Sequence, residues 1–408
     1  MINGIIILLM VYGGTKLFLD LHQINYIRKS SISEKDMGVL NIDSNYIAKS
    51  NSYNIDKLKF SIVNTIISIT IVCILLFFHG ISFIASSAKA INFWIINSEL
   101  TTILLFFTLM TLVNIPLNYV KVFFLETKYG FNNSNLKLFI TDTILSFFVS
   151  LLFIIILFST FDYVYKSYET SWWYIMWILF IIFNFLILYL YPNFISPLFN
   201  KFEKLTDKKI VDNINNLSNR TNFNISDIYV MDGSKRSKHS NAYFTGMFKN
   251  KRIVFFDTLI DMLSVSEIES VLAHEIGHYK KKHITISMIA NILFSFIIFY
   301  SLYKVSFYSP IFNLFSLNSS SSSEFIIMIS LLLPIFLFFI SPLFSVLSRK
   351  HEYEADNFAK EHTSSISMVS ALIKLYKDNL TVINSSPFYS AIYNSHPTVF
   401  ERINNIKS

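Results

Sequence analysis

Long apolar runs alternate with short polar breaks through most of this chain, and one long polar stretch interrupts them. Runs close to the ~20 residues a helix needs to cross a bilayer lie at 2–19, 61–85, 100–124, 138–160, 171–191, 284–308 and 325–346. They predict seven spanning helices, the first an uncleaved signal-anchor, since it has neither a basic start nor a small-residue cleavage site. Pro116, Pro334 and Pro342 fall within or near the ends of spans, where they predict kinks or breaks packed against other helices. The serines at 319–323 read as a low-complexity connecting loop with no further role.

The polar stretch, residues 192–283, changes its period several times. Thr206–Thr221 has a helical pattern, Ile225–Met231 reads as a strand, and Asn241–Thr245 and Arg252–Asp257 alternate like a hairpin around Lys249-Asn250. Ser264 followed three residues later by Glu267 is a capping box, opening a helix whose apolar face is Ile268, Val271, Leu272 and Ile276. The predicted organisation is therefore five spans and their loops in 1–191, a polar segment in 192–283, two spans in 284–346 and a helical C-terminal segment in 347–408.

Composition sharpens this picture. Hydrophobic residues make up 53% of the chain against 15% charged, which is the balance of a multi-span protein surrounded by lipid. A single cysteine, Cys73, lies in an apolar run, so no disulfide framework and no thiolate metal site is available. The net charge of +7 does not indicate a nucleic-acid partner, because the basic residues are sorted between the spans. With seven spans, segments 20–60, 125–137, 192–283 and 347–408 share one side. They carry Arg28, Lys29, Lys35, Lys49, Lys57, Lys59, Lys128, Lys137 and nearly all later basic residues. The other side has Lys89 and Lys166 as its main cations, so the positive-inside bias predicts a cytosolic polar segment and tail.

The chemistry centres on His274-Glu275-Ile276-Gly277-His278. Residues four apart share a helix face, so His274 and His278 can hold one zinc ion between them. Glu275 is rotated about 100° from His274 and can act as a base on a water held there. A third ligand must come from elsewhere. His283 fails as a third histidine, since the extended motif needs that residue six positions after the second histidine and a glycine where Lys281 stands. The better candidate is Glu352, at the cytosolic exit of the last run. Glu352 and Asp356 lie one turn apart, so one can bind metal while the other orients a ligand histidine. Glu354 points about 160° away and reads as a surface residue. His239 and His283 read as polar packing residues, and Arg402 as a structural salt-bridge partner.

Several further motifs then join the set. Glu126-Thr-Lys-Tyr-Gly130-Phe131-Asn132, the Tyr191–Phe202 stretch, the Ser-Lys-Arg-Ser-Lys-His-Ser-Asn-Ala-Tyr-Phe run within 233–246, Glu352-x-x-Ala355-Asp356, and Ser395-His396-Pro397 with Glu401-Arg402 occur in that order. Together they resemble the integral-membrane type I CAAX prenyl proteases, the a-factor-converting enzymes. His22-Gln23 stands where that family usually has an Arg-Gln pair, and residues 35–57 have no clear counterpart in it. The resemblance implies a mostly α membrane protein in which about seven transmembrane helices enclose a chamber. Within it would sit a gluzincin-like zinc protease core carrying a small β-hairpin or sheet. It further implies an endoplasmic reticulum membrane and removal of the last three residues after a prenylated cysteine. By the same resemblance His396 donates to the oxyanion, and Asn241, followed by Ala242 and Tyr243, grips the substrate backbone, for which the strand pattern at 241–245 is suited.

Two other readings compete. A quality-control zinc protease of the membrane would share the chemistry, but that family has fewer spans. A receptor, channel or scaffold would show ionisable residues inside its spans, and here Lys16 and Asp142 are the main cases.

Overall fold

The structure, a computed structural model, describes residues 2–91, 97–245 and 252–408, with side chains from residue 4 onward. The turn expected at Lys249-Asn250 lies outside the described residues. Among the described residues, seven helices are long and apolar enough to cross a membrane: Gly4–Lys29, Ser44–Phe77, Ser98–Tyr129, Leu136–Ser167, Trp172–Phe199, His283–Ser306 and Ser322–His362. In none is more than 22% of the apolar window buried by protein. A solid bundle would bury at least one central helix. These seven instead leave cavities between them, two of which measure about 850 Å³ and about 550 Å³.

The helices differ from the apolar runs in informative ways. The second stops at Phe77 although the run continues to 85, because His79 takes a left-handed conformation (φ 56°) and a new helix starts at Gly80. A Cβ on Gly80 would stand 2.9 Å from the Leu75 backbone, so only glycine lets the chain double back there. Spans three and five each contain a wide π-segment shortly before their ends, Lys121–Glu126 and Tyr191–Ile195, the first downstream of Pro116 and the second containing Pro192. Pro334 and Pro342, by contrast, sit inside one continuous helix of 41 residues. At 1.5 Å per residue that helix is roughly 60 Å long, about twice the apolar thickness of a bilayer. It carries His351–Asp356 well beyond the apolar run, and the boundary expected at 346 falls within it.

The serine loop is a correction to the sequence reading. Ser323 donates to Glu99 Oε2 through both its N–H (2.9 Å) and its hydroxyl (2.6 Å), Ser321 donates to the same oxygen (2.8 Å), and Ser322 donates to Asp162. All three serines are buried. They tie together the ends of spans three, four and seven on the side away from the HExxH helix.

The polar segment folds onto a four-stranded sheet: β1 Phe202–Lys204, β2 Asp227–Met231, β3 Ala242–Thr245 and β4 Arg252–Phe256, in the order β1-β2-β4-β3. β2 and β4 run parallel and the outer pairs antiparallel, which leaves one side of β3 as a free edge. One sheet face, through Ile253 and Phe255, joins a core with Ile210, Ile214 and Leu217 of the Lys208–Arg220 helix. Ile268, Val271, Leu272 and Ile276 of the Val265–Lys280 helix complete it, as their periodicity predicts. The expected capping box forms at Ser264 and Glu267. Residues 35–57 supply a short helix, Glu34–Leu40, and the start of span two. Leu40 enters the core, and Tyr46 and Asn54 donate to the carbonyls of Tyr376 (3.0 Å) and Leu380 (2.8 Å).

Candidate active site

Two helices build the centre by crossing closely. A Cβ on Gly277 would lie 3.0 Å from both the Ala355 Cα and the Phe358 Cβ, so the missing side chain lets the HExxH helix press against the last span's extension. That contact brings Glu352 to the two histidines. His274 Nε2 and His278 Nε2 are 3.2 Å apart, and the Glu352 carboxylate oxygens lie 3.6 Å from the first and 3.3 Å from the second. Ligands about 2.0–2.2 Å from a tetrahedral zinc are separated by roughly 3.3–3.6 Å. The two imidazole nitrogens and the Glu352 carboxylate, through one oxygen toward each, thus lie at about the separations of ligands around one zinc ion. Glu352 Oε2 is buried and accepts no hydrogen bond among the described residues, with His396 Nδ1 at 2.9 Å and Arg402 Nη1 at 3.5 Å as its ion-pair neighbours, and a cation held by the ligands would satisfy it.

Behind this face His274 Nδ1 lies 2.9 Å from Asp356 Oδ1, which leaves Nε2 free to ligate. Asp356 is fully buried and receives two bonds from Arg402, at 2.9 Å and 2.6 Å. Burial alone would lower Arg402's pKa, but Asp356 and Glu352 outweigh it and hold the guanidinium above its ordinary value. Burial also works against a charge on His278. The Glu352 carboxylate, with Glu275 adding to it, reverses that and raises the imidazole.

Glu275, half-buried, faces a cavity of about 330 Å³ together with Asn241, Ala242, His274, His278, Glu352, His396 and Arg402. His396 is largely exposed, its Nδ1 2.9 Å from Glu352 Oε2. It precedes the Thr398 cap of the last helix, and Tyr376 donates to Pro397 at 3.2 Å. Asn241 lies at the start of β3, where Ser240 donates to Asp378 (2.7 Å) and His239 stacks on Phe131. Tyr243 is the one expected substrate contact not brought here. Strand alternation turns it to the opposite face, into a separate cavity with Asn193 and Arg252.

Sequence reasoning did not find the apolar wall of the cavity, Leu259, Met368, Leu372 and Leu375. The spacing of the last three on the Ser365–Asp378 helix was its only signal. Nor did it find the bond from His283 to Glu354, 2.8 Å long, which makes Glu354 only partly a surface residue. The metal-side cavity shares Asn241 and His396 with a neighbouring one, which in turn shares Asn379, Thr381 and Asn394 with the cavity of about 850 Å³ between the spans. The centre therefore opens inward, toward the space the spans enclose.

A membrane-embedded shell whose HExxH helix meets a carboxylate from the last span defines a metallopeptidase. Comparison with known proteins places it more finely. Residues 204–408 match the family model for Peptidase family M48, and residues 23–201 match that for the CAAX prenyl protease N-terminal region, with its five membrane helices. The chain is 37% identical to CAAX prenyl protease 1 of Saccharomyces cerevisiae, over 89% of its own length and 86% of the relative's. It is 31% identical to the human CAAX prenyl protease 1 homolog, over 90% and 87%. The crystal structure of S. mikatae Ste24p superposes with a TM-score of 0.90 at 31% identity, covering 98% of both chains. The chain belongs to the M48 metallopeptidases, in the branch of the multi-pass CAAX prenyl proteases. A metal ion is part of that family's chemistry.

Proposed function

We propose that this chain is a zinc endopeptidase that removes the last three residues of prenylated CAAX proteins. The observation that carries it is the convergence of His274, His278 and Glu352 to within 4.8 Å, in a chain related over most of its length to CAAX prenyl protease 1. His274, His278 and Glu352 would hold one zinc ion per chain. A zinc ion held there would supply a water of lowered pKa and a Lewis acid for the scissile carbonyl.

The remaining steps belong to the protein. Glu275 takes the proton of the attacking water and delivers it to the leaving amine. His396 donates a hydrogen bond to the oxygen on which charge develops. Asn241 and Ala242, at the free edge of β3, receive the extended substrate as an added strand, and Tyr243 lies beside that edge rather than in the cavity. Asp356 holds His274 in the ligating tautomer, and Arg402 holds Asp356. The four-part division of the chain goes with this reading: five spans, the polar segment, two spans and the tail. So does an endoplasmic reticulum membrane with the centre on the cytosolic side, supported by the sorting of basic residues.

The test is purified protein incubated with farnesylated and unmodified C-a-a-X peptides, with and without a chelator. Selective, chelator-sensitive release of a tripeptide from the farnesylated peptide is expected. Equal cleavage of both peptides would favour a quality-control protease instead.

A further inference from the structure

His274 is held from behind by Asp356, and nothing assigned so far holds His278. Its Nε2 faces Glu352 and His274. As a neutral ligand through Nε2, His278 must carry its proton on Nδ1. That nitrogen lies 3.0 Å from Nδ1 of His283. His283 must then accept there and carry its own proton on Nε2, which lies 2.8 Å from Glu354 Oε2. Only one arrangement of protons satisfies all three groups, and it runs from the ligand to the carboxylate.

The surroundings fit such a fixed chain. His283 is 3% exposed and His351 stacks on it, with ring centroids 4.0 Å apart and planes 10° from parallel. His283 is the first residue of span six, reached through Lys282 in a left-handed conformation (φ 61°), and this turn carries the imidazole back under His278. Glu354 stands on the same helix as Glu352, two residues on, with Lys350 3.8 Å from its other oxygen. A single helix would thus supply a ligand through Glu352, the support of His274 through Asp356 and the outer support of His278 through Glu354.

We propose that His283 and Glu354 are positioning residues for the metal, a His-to-carboxylate relay that fixes the tautomer and ring orientation of His278. This rests on the zinc reading above. Without the relay the Nδ1–H of the half-buried His278 loses its one acceptor among the described residues, and the imidazole loses both its basicity and its aim.

The test uses the full-length protein in detergent, with zinc affinity read by chelator competition and ligand geometry by the visible spectrum of the cobalt-loaded form. Glu354→Ala and His283→Phe are expected to weaken zinc binding by about 10–100-fold and to change the cobalt spectrum. Glu354→Gln, which keeps an accepting oxygen, is expected to restore affinity to within a few-fold of the parent. Melting of the metal-free proteins checks folding, and the half-exposed Glu354 keeps the test sound if His283→Phe misfolds. Parent-like zinc affinity and spectrum in Glu354→Ala would overturn the relay, as would a Gln variant as weak as the Ala variant. A parent protein that itself holds no stoichiometric zinc would instead reject the underlying metal reading.

Discussion

At the scale of single residues, the centre divides labour between groups that touch the reaction and groups that hold them. Glu275 is half-buried in the cavity and makes no hydrogen bond that fixes the metal ligands. Glu275→Gln is therefore expected to keep zinc at one per chain, by metal analysis, while peptide cleavage falls by about 100-fold or more. Asp356→Ala acts differently. It frees the His274 tautomer and strands the buried Arg402, so zinc affinity should drop about 10–100-fold and stability by roughly 3–5 kcal/mol. Chelator competition and denaturant unfolding measure the two. The ligating face was legible in the sequence, because a four-residue spacing on a helix is a local rule. Glu352 and Asp356 were legible as a pair for the same reason, with Glu352 as the expected ligand, but the helix crossing at Gly277 that brings Glu352 to the histidines is not encoded in that spacing. His283 and Glu354 were seen as residues and not as partners, since the turn at Lys282 that joins them is a conformation and not a pattern.

At the scale of elements, the close crossing at Gly277 decides whether the ligands meet. Gly277→Ala pushes the HExxH helix and the last helix apart by a few tenths of an ångström. We expect a loss of about 1–3 kcal/mol in unfolding experiments together with weaker zinc binding, whereas an exposed Ala substitution elsewhere on the helix would change neither. The start of the HExxH helix is held by Glu267. Burial pushes this carboxyl up, but Lys374 (2.7 Å), Ser370 (2.6 Å) and the Ser264 N–H outweigh it and bring its pKa down to about 2. A depressed carboxylate stabilises the fold above its ordinary pKa. That contribution shrinks as pH falls from the usual carboxylate range toward about 2, and Glu267→Gln should flatten stability over that window. Span number was readable from apolar run length. The ends were not, since the stop at His79-Gly80 and the passage of one helix through Pro334 and Pro342 are set by close packing and by continuation beyond the bilayer.

At the scale of the whole molecule, both the HExxH side and the far side have packed apolar cores. The near side adds the strap of residues 35–57, and the far side adds the buried serine knot on Glu99 and Asp162. Replacing both Ser322 and Ser323 with alanine leaves those carboxylates short of donors, and should cost about 1–3 kcal/mol per lost charged bond, read as a lower melting temperature without change in zinc content. Composition gave no hint of this knot, because a serine run looks the same whether it is solvated or buried. What the spans enclose matters only if the residues near 275 and near 352 share one cation. Zinc-edge X-ray absorption on the purified protein tests that directly. One zinc per chain, with two imidazole nitrogens and a carboxylate oxygen at about 2.0–2.2 Å, is the expected result. A shell lacking either the imidazole pair or the carboxylate, or no stoichiometric zinc at all, would contradict it.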